Sequence, residues 1–296
     1  MSEPATPASG ASVRAPAPSA SWKGRVLLGL GRALAALAWL LRIRRRVVLD
    51  NLARAFPEKS ARERTQLGRA VFRSLGESLG EMALARSLPD PRLAEWVEFD
   101  GFERFTEASA RGRGVVVAIA HFGNWELLGW ACARRGVRLS LIGRNLRGFW
   151  NRKLVVSRER SGMGQLPDRG SSKEALRRLR QGEVLALAID QNMRPRRGIF
   201  VDFFGYPACT TPAAAVYALR AGAPILAAFP VRDVDGRHRV LVQGPFAAPP
   251  GVHGHAAVVA LTQQLTAAVE QIVRAHPEQW FWLHRRWKTR AEPASR

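Results

Sequence analysis

The sequence predicts an α/β fold in which a single mixed sheet is flanked by helices and an N-terminal hydrophobic helix precedes the folded domain. Three observations support this prediction. Short apolar runs alternate with helical patterns from residue 114 onward, as in a sheet covered by helices. Residues 47–100 repeat apolar side chains at helical spacing. A nearly uninterrupted apolar run, 26–41, lies close to the N-terminus.

The N-terminal part divides into a tail and a membrane anchor. Residues 1–21 consist mainly of Pro, Ala and Ser, which bury too little apolar surface to offset the entropy of ordering, so we expect a disordered tail. Residues 22–46 contain the apolar run and then the basic sequence RIRRR, which suits anionic headgroups. The run is short for a bilayer span and contains Arg32. We therefore predict an anchor that lies in the membrane interface or dips into it; a soluble helix is the alternative.

Residues 47–100 are predicted to form helices. One of them begins at Ser60, because Ser60 and Glu63 have the spacing of a capping box, in which each side chain accepts a hydrogen bond from the other residue's backbone N–H. The apolar positions of this helix recur every three or four residues and define its buried face: Leu67, Val71, Phe72, Leu75 and Leu79.

Residues 101–290 form the predicted α/β core and belong with the helical segment to one domain, 47–296. Five apolar runs are predicted strands: GVVVAIA, VRLSLI, EVLALAI, APILAAFPV and HRVLVQ. Four segments are predicted helices: WELLGWACARR, SSKEALRRLR, TPAAAVYALRAG and AAVVALTQQLTAAVEQIVRA. Thr211 and Pro212 suit the start of the third helix, and Gly222 suits its end.

The charge balance restricts the possible partners. The chain has 46 Lys and Arg against 24 Asp and Glu, a formal net charge of +22. Such a field attracts nucleic acid, anionic membranes, phosphorylated substrates or acidic carrier proteins. Cys132 and Cys209 lie far apart and outside any CxxC pattern, which predicts reduced thiols. His253 and His255 have no acidic residue nearby, so we predict no metal site.

The sequence AIAHFGNWELLG, 118–129, contains the strongest candidate site. His121 lies where a buried strand should end, and ligands of α/β sheets bind at the carboxyl ends of strands. Gly123 allows backbone to come close to a ligand, and a helix beginning at Asn124 directs N–H groups toward negative charge. Glu126 in the first helical turn is expected to fold back onto the imidazole. A core histidine with a solvent-facing glutamate is the alternative.

Four motifs occur in order along residues 22–290. They are VVLDNLARAFPEKSARER (47–64), AIAHFGNWELLG, DQNMRPRRGIFVDFFGYPACTTPAAAVYALRAGAPI (190–225) and PEQWFWLHRRWKTR (277–290). Together they resemble the bacterial lipid A biosynthesis acyltransferases, the late lauroyl and myristoyl transferases of the lysophospholipid acyltransferase superfamily. The second motif is similar to the H-x4-D/E motif of that superfamily, and the predicted sheet agrees with a glycerolipid-acyltransferase-like fold.

This resemblance implies an enzyme of the bacterial inner membrane with its catalytic domain on the cytoplasmic side. It would move a fatty acyl chain from acyl carrier protein to a hydroxyl of a lipid A precursor, with anionic lipids as further partners and no cofactor. His121 would be the general base that deprotonates the acceptor hydroxyl. Glu126 would orient His121 and balance its positive charge.

The resemblance also implies substrate-binding residues at the ends of two other strands. Arg144 and Asn145 follow VRLSLI and are expected to bind a phosphate or the acyl donor; an ordinary surface arginine is the alternative for Arg144. Asp190 and Gln191 end EVLALAI and are expected at the same sheet edge as His121.

Two further groups follow Gln191. Arg194 and Arg197 lie in a basic loop that suits the sugar phosphates of a glycolipid, with a solvated loop as the alternative. Phe203, Phe204 and Gly205 are expected to provide an apolar wall for an acyl chain, with core packing as the alternative.

The C-terminal sequence WFWLHRRWK leaves a different function open. Its alternating aromatic and basic residues suit a membrane interface, but they could also stack on nucleic acid bases. A basic nucleic-acid-binding protein is therefore one alternative, although it leaves His121 and the apolar run unexplained. The other is an acyltransferase that acts on a different glycolipid or phospholipid.

Overall fold

The structure of the protein is a computed structural model that describes residues 16–143, 156, 158 and 162–291. Its strands are β1 (Val97–Asp100), β2 (Val115–Ile119), β3 (Leu139–Gly143), β4 (Gly164–Pro167), β5 (Val184–Ala188), β6 (Ile199–Phe203), β7 (Tyr206–Thr210), β8 (Ile225–Arg232) and β9 (His238–Phe246). Its helices are α1 (Trp22–Leu40), α2 (Arg45–Ala55), α3 (Ala61–Ala85), α4 (Asp90–Trp96), α5 (Phe102–Ala110), α6 (Trp125–Arg134), α7 (Ser172–Arg180), α8 (Ala213–Ala221) and α9 (Gly254–Ala275).

Seven strands form one mixed sheet in the order β1-β9-β8-β2-β5-β3-β4. The five strands from β8 to β4 are parallel, whereas β9 runs antiparallel to β8 and parallel to β1. The central strand β2 is covered on both sides: Val116 and Ala118 face one hydrophobic cluster, and Val115 and Ile119 face another. This two-sided burial explains its uninterrupted apolar sequence. The prediction of a mixed sheet flanked by helices is confirmed.

A separate hairpin of β6 and β7 lies beside this sheet and was not predicted. Two residues, Phe204 and Gly205, connect the strands, and both have positive φ angles of 57° and 74°. Such two-residue turns match the twist of hairpin strands. Asp202 Oδ1 accepts a hydrogen bond from the backbone N–H of Gly205 at 3.1 Å, which stabilises the turn.

The predicted strands and helices of the α/β core all occur in the structure. The capping box also forms, because Glu63 Oε2 accepts from Ser60 N–H at 2.7 Å and Ser60 Oγ accepts from Glu63 N–H at 3.2 Å. α8 begins directly after Pro212 and ends at Gly222, whose φ is 61°. The expectation of helices throughout 47–100 is wrong at its end, where β1 pairs with β9.

The N-terminal helix α1 packs lengthwise on α3. The contact is close because Gly31 faces Gly76: a Cβ atom added at Gly31 would lie 2.0 Å from the Gly76 carbonyl oxygen. Arg32 also turns toward α3, where its Nε donates to Glu77 Oε1 at 2.7 Å. The polar residue that interrupts the apolar run is therefore satisfied by the protein.

One expectation for the N-terminus needs correction. Residues 17–19 are buried and 18–20 form a 3₁₀ turn, so the predicted tail is wrong for 17–21, where Ser21 caps α1. The predicted apolar helix is present as α1, and the chain bends by 88° between α1 and α2, within the basic sequence. Among the described helices, α9 alone is long and apolar enough to cross a membrane by itself, and it is half-buried against the core.

The close glycine contact predicts opposite effects for two substitutions in α1. Gly31→Ala should lower the free energy of unfolding by about 1–3 kcal/mol, because the methyl group overlaps backbone of α3. Gly29→Ala is the matched control: nothing lies within 4 Å of its added Cβ, so it should raise that free energy by about 0.5–1 kcal/mol. Denaturant unfolding of both variants measures the difference, and equal effects would contradict the packing described here.

Candidate active site

His121 and Asp190 occupy equivalent positions after two neighbouring parallel strands. Ile119 at the end of β2 pairs with Ala188 at the end of β5. Positions two residues further along each strand therefore meet at the carboxyl edge of the sheet, where α/β proteins bind ligands.

The two side chains form a buried hydrogen-bonded pair. His121 Nδ1 lies 2.8 Å from Asp190 Oδ1, and the His121 backbone N–H donates to Asp190 Oδ2 at 2.8 Å. Trp280 Nε1 donates to the same oxygen, also at 2.8 Å. Asp190 is 2% exposed and His121 is 25% exposed, so the carboxylate is enclosed while part of the imidazole remains accessible.

The surroundings stabilise opposite charges on this pair. Burial alone would lower the pKa of His121, but the Asp190 carboxylate beside it raises the pKa above its usual value. Burial alone would raise the pKa of Asp190, but His121 and the N–H donors hold it well below its usual value. Ionised Asp190 favours the His121 tautomer that carries its proton on Nδ1, which leaves the lone pair of Nε2 available as a base. The side-chain amide of Gln191 lies 3.3 Å from Nε2.

The predicted contact between Glu126 and the imidazole is wrong. Glu126 is buried in the first turn of α6, and both of its oxygens bond to the guanidinium of Arg158. It contributes less to the raised pKa of His121 than Asp190 does. Helix position alone did not reveal Arg158, which lies 32 residues away in sequence.

Gly123 is required by a backbone contact rather than by a ligand. Its φ is 53°, and an added Cβ would lie 1.8 Å from the Pro230 carbonyl oxygen. Its N–H donates to the Gln279 carbonyl at 2.8 Å, and the Phe281 N–H donates to the His121 carbonyl at 2.9 Å. The C-terminal segment around Trp280 therefore holds the His121 loop in place, and the approach of Gly123 to substrate stays a prediction.

Asn124 also lies beneath the site rather than facing it. Its Oδ1 accepts from Leu127 N–H at 3.2 Å and so caps α6. Its Nδ2 donates to Glu81 Oε2 at 3.0 Å, and Glu81 forms a buried ion pair with Arg232. Asn124 also lines an apolar groove beside His121, and its substrate-binding role stays a prediction.

The basic residues predicted to bind substrate have different positions. Arg144 and Asn145 lie outside the described residues. Arg197 forms an ion pair with Asp168 at 3.2 Å, and Arg194 is exposed on the same loop. The described contacts do not connect either arginine with His121.

Phe203 and Phe204 pack within the core, and an acyl-chain wall at these residues stays a prediction. Phe203 packs against Trp280 with ring centroids 5.5 Å apart, and Phe204 packs against Phe56 at 5.5 Å. Gly205 is exposed in the hairpin turn. The core-packing alternative is the one that the structure supports for the two phenylalanines.

An almost entirely apolar cavity, partly open to solvent, lies beneath α5 and α6 and reaches the site. Trp125, Glu126 and Arg158 line it near the carboxyl edge of the sheet. Its other lining residues include Phe102 of α5 and side chains from the opposite ends and the middle of the strands: Val184, Ala186, Leu139 and Leu226. No local motif marks this cavity, because its walls come from elements that are distant in sequence.

Comparisons with known proteins agree with the resemblance. The family model for bacterial lipid A biosynthesis acyltransferase matches residues 24–289. The chain is 32% identical to the Escherichia coli (strain K12) lipid A biosynthesis lauroyltransferase over 90% of this chain and 85% of the relative. It is 28% identical to the palmitoleoyltransferase of the same organism, over 90% and 86%. It is also 28% identical to a Mycobacterium tuberculosis phosphatidylinositol mannoside acyltransferase, over 80% and 75%. The chain therefore belongs to the bacterial lipid A biosynthesis acyltransferase family and is an O-acyltransferase.

Proposed function

We propose that this enzyme is bound to the bacterial inner membrane and moves a fatty acyl chain from acyl carrier protein to a hydroxyl of a lipid A precursor. The observation that carries the proposal is the pair of His121 and Asp190 beside an apolar cavity. The names of the relatives, which include lauroyl and palmitoleoyl transferases of lipid A biosynthesis, support the acyl group and the acceptor.

The proposed reaction begins when His121 Nε2 takes the proton of the acceptor hydroxyl. The hydroxyl oxygen attacks the thioester carbonyl carbon, and the carbonyl π electrons move to oxygen. Collapse of this intermediate breaks the C–S bond, and the leaving thiolate takes the proton back from Nε2–H. One ester and one thiol result, and His121 is regenerated. Asp190 stabilises the imidazolium, and Gln191 supplies an amide donor beside the reacting atoms.

The apolar cavity suits the transferred chain. Its lining extends from the catalytic edge to Val184 at the start of β5, a strand of five residues that spans roughly 17 Å. Moving each methylene group from water into such a cavity is favourable by about 0.8 kcal/mol. The chain that fills the cavity without exceeding its length should therefore bind best.

The outer face of α1 supports membrane binding. Six large apolar side chains are exposed on it together with the cations Lys23, Arg25 and Arg32, and three more arginines are exposed directly after it, at 42, 44 and 46. Because α3 covers the opposite face, we infer that α1 lies in the interface on the cytoplasmic side, with basic residues near anionic lipid headgroups. The exposed apolar residues are Trp22, Val26, Leu30, Leu34, Leu37 and Leu40.

The charge of the chain supports a carrier protein as the donor. A net charge of +22 attracts an acidic partner and increases its rate of association. Family membership also accounts for the His121 motif, which the nucleic-acid alternative left unexplained.

Acyl transfer by detergent-solubilised protein tests the proposal. We expect product from acyl carrier proteins charged with different chains and a tetra-acylated lipid A precursor, with one preferred chain length. Ala186→Leu, which adds bulk to the cavity, should shift that preference to shorter chains and lower kcat/KM for the longest accepted chain by about 10- to 100-fold.

Ala256→Leu, at an exposed position of α9, is the matched control and should leave the preference unchanged. Equal chain profiles for wild type and Ala186→Leu would contradict the cavity assignment. Transfer to another glycolipid, with none to the lipid A precursor, would contradict the proposed acceptor but would agree with the proposed acyl-transfer reaction.

A further inference from the structure

An open apolar groove runs from the membrane-facing side of the protein to the catalytic loop. Its walls come from α1, α3 and the segment around Phe281, and its outer rim includes Leu34 and Leu79, which are 61% and 58% exposed. Its inner end reaches Trp125, whose ring centroid lies 5.2 Å from that of His121. The groove is therefore continuous with the exposed apolar face of α1.

A basic pocket adjoins this groove. Arg44, Arg285 and Lys288 line it, and all three are exposed. Within the described part of the chain, their side chains form no ion pair with an acidic residue. The bend between α1 and α2 places Arg44 at this position, where the net charge of the pocket suits a phosphate group.

The groove and the basic pocket meet beside the reacting nitrogen. Phe281 and Leu283 line both of them. Phe281 also bonds to the His121 backbone and packs against its ring at a centroid distance of 6.2 Å. A molecule with an apolar chain in the groove and an anionic group in the pocket would thus lie next to His121.

We propose that this composite surface binds the acceptor lipid, with one of its acyl chains in the groove and a phosphate of its headgroup in the basic pocket. The inference rests on the proposed function and assigns the second substrate of the same site. The transferred chain lies in the cavity between the sheet and helices α5 and α6, and the acceptor chain approaches along α1 and α3. Trp125 and Glu126 line both spaces, so the two substrates meet at His121.

Charge complementarity and position favour the acceptor over the donor as the occupant. The acceptor is an anionic lipid that stays in the membrane, and the groove opens beside the exposed face of α1. An acyl carrier protein arrives from water with its chain covered and has no need of an open apolar groove. The phosphate of its prosthetic arm could nevertheless contact the basic pocket, so the experiment separates the two substrates.

The test is steady-state acyl transfer in detergent micelles with two acceptors, the phosphorylated lipid A precursor and its phosphatase-treated form. The double variant Arg285→Ala/Lys288→Ala should raise KM for the phosphorylated acceptor by about 10- to 100-fold and leave KM for the dephosphorylated one nearly unchanged. Leu79→Glu, with Leu34→Glu as a second groove variant, should raise KM for both acceptors. None of these variants should change KM for the acyl donor.

Exposed residues that line neither the groove nor the basic pocket provide matched controls: Lys173→Ala/Arg180→Ala for the charge change and Leu219→Glu for the groove change. The inference is overturned if the basic-pocket variant raises KM for the donor instead, or if the groove variants behave like Leu219→Glu. Failure of the proposed function looks different, because wild type would then transfer no acyl chain to either acceptor.

Discussion

Replacing His121 with alanine is expected to lower kcat for acyl transfer by about 10²- to 10⁴-fold, the usual contribution of a positioned general base. The variant retains the cavity and the groove, so KM for both substrates should change little. Single-turnover transfer from a labelled acyl carrier protein measures the effect directly, because it separates the chemical step from product release.

The control for this variant is its stability. Removing the imidazole leaves the buried Asp190 carboxylate without its partner, so the alanine protein should unfold at a lower temperature than wild type, and both are assayed at a temperature at which they are folded. His121→Gln, which keeps a polar side chain without a basic nitrogen, should be equally slow. Transfer at the wild-type rate by either folded variant would remove His121 from the mechanism.

Replacing Asp190 with asparagine is expected to cause a loss of similar size and a shift in pH dependence. In the proposed mechanism neutral His121 is the base, so kcat/KM should rise as pH increases through the pKa of His121, which Asp190 raises above the usual value. Asparagine removes the negative charge, so that pKa falls and the acidic limb of the profile moves to lower pH. The plateau should also fall by about 10²- to 10⁴-fold, because the tautomer and the imidazolium lose their partner.

Glu126→Gln provides the comparison that distinguishes the two carboxylates. It breaks a buried pair and leaves Arg158 without its counter-ion, so it should lower the free energy of unfolding by about 3–5 kcal/mol. Its effect on the acidic limb should be smaller than that of Asp190→Asn. If Glu126→Gln shifts the acidic limb of the pH profile more than Asp190→Asn does, Glu126 rather than Asp190 is the residue that orients His121.

Local sequence patterns were sufficient to predict the strands that are buried on both faces along their whole length. Strands β2 and β5 are buried on both faces, so their continuous apolar runs were recognisable. β1 and β4 were missed because each has only four residues and lies at an edge of the sheet, where the burial pattern is weak. The hairpin of β6 and β7 was missed because Phe204 adopts a positive φ that its residue type does not signal.

Some features of the candidate site could likewise be predicted from local sequence, whereas others could not. The sequence by itself determined the family, placed His121 after a buried strand and placed Asp190 after another, because these features depend on residues close together in the chain. Only the tertiary structure decided that Asp190 rather than Glu126 holds the imidazole, since that contact depends on strand order and register across 69 residues. The tertiary structure likewise shows that Phe203 packs in the core and that residues from separate elements form the cavity, the groove and the basic pocket. Cavities are shaped by side chains that meet from separate elements, and no short stretch of sequence records which elements will meet.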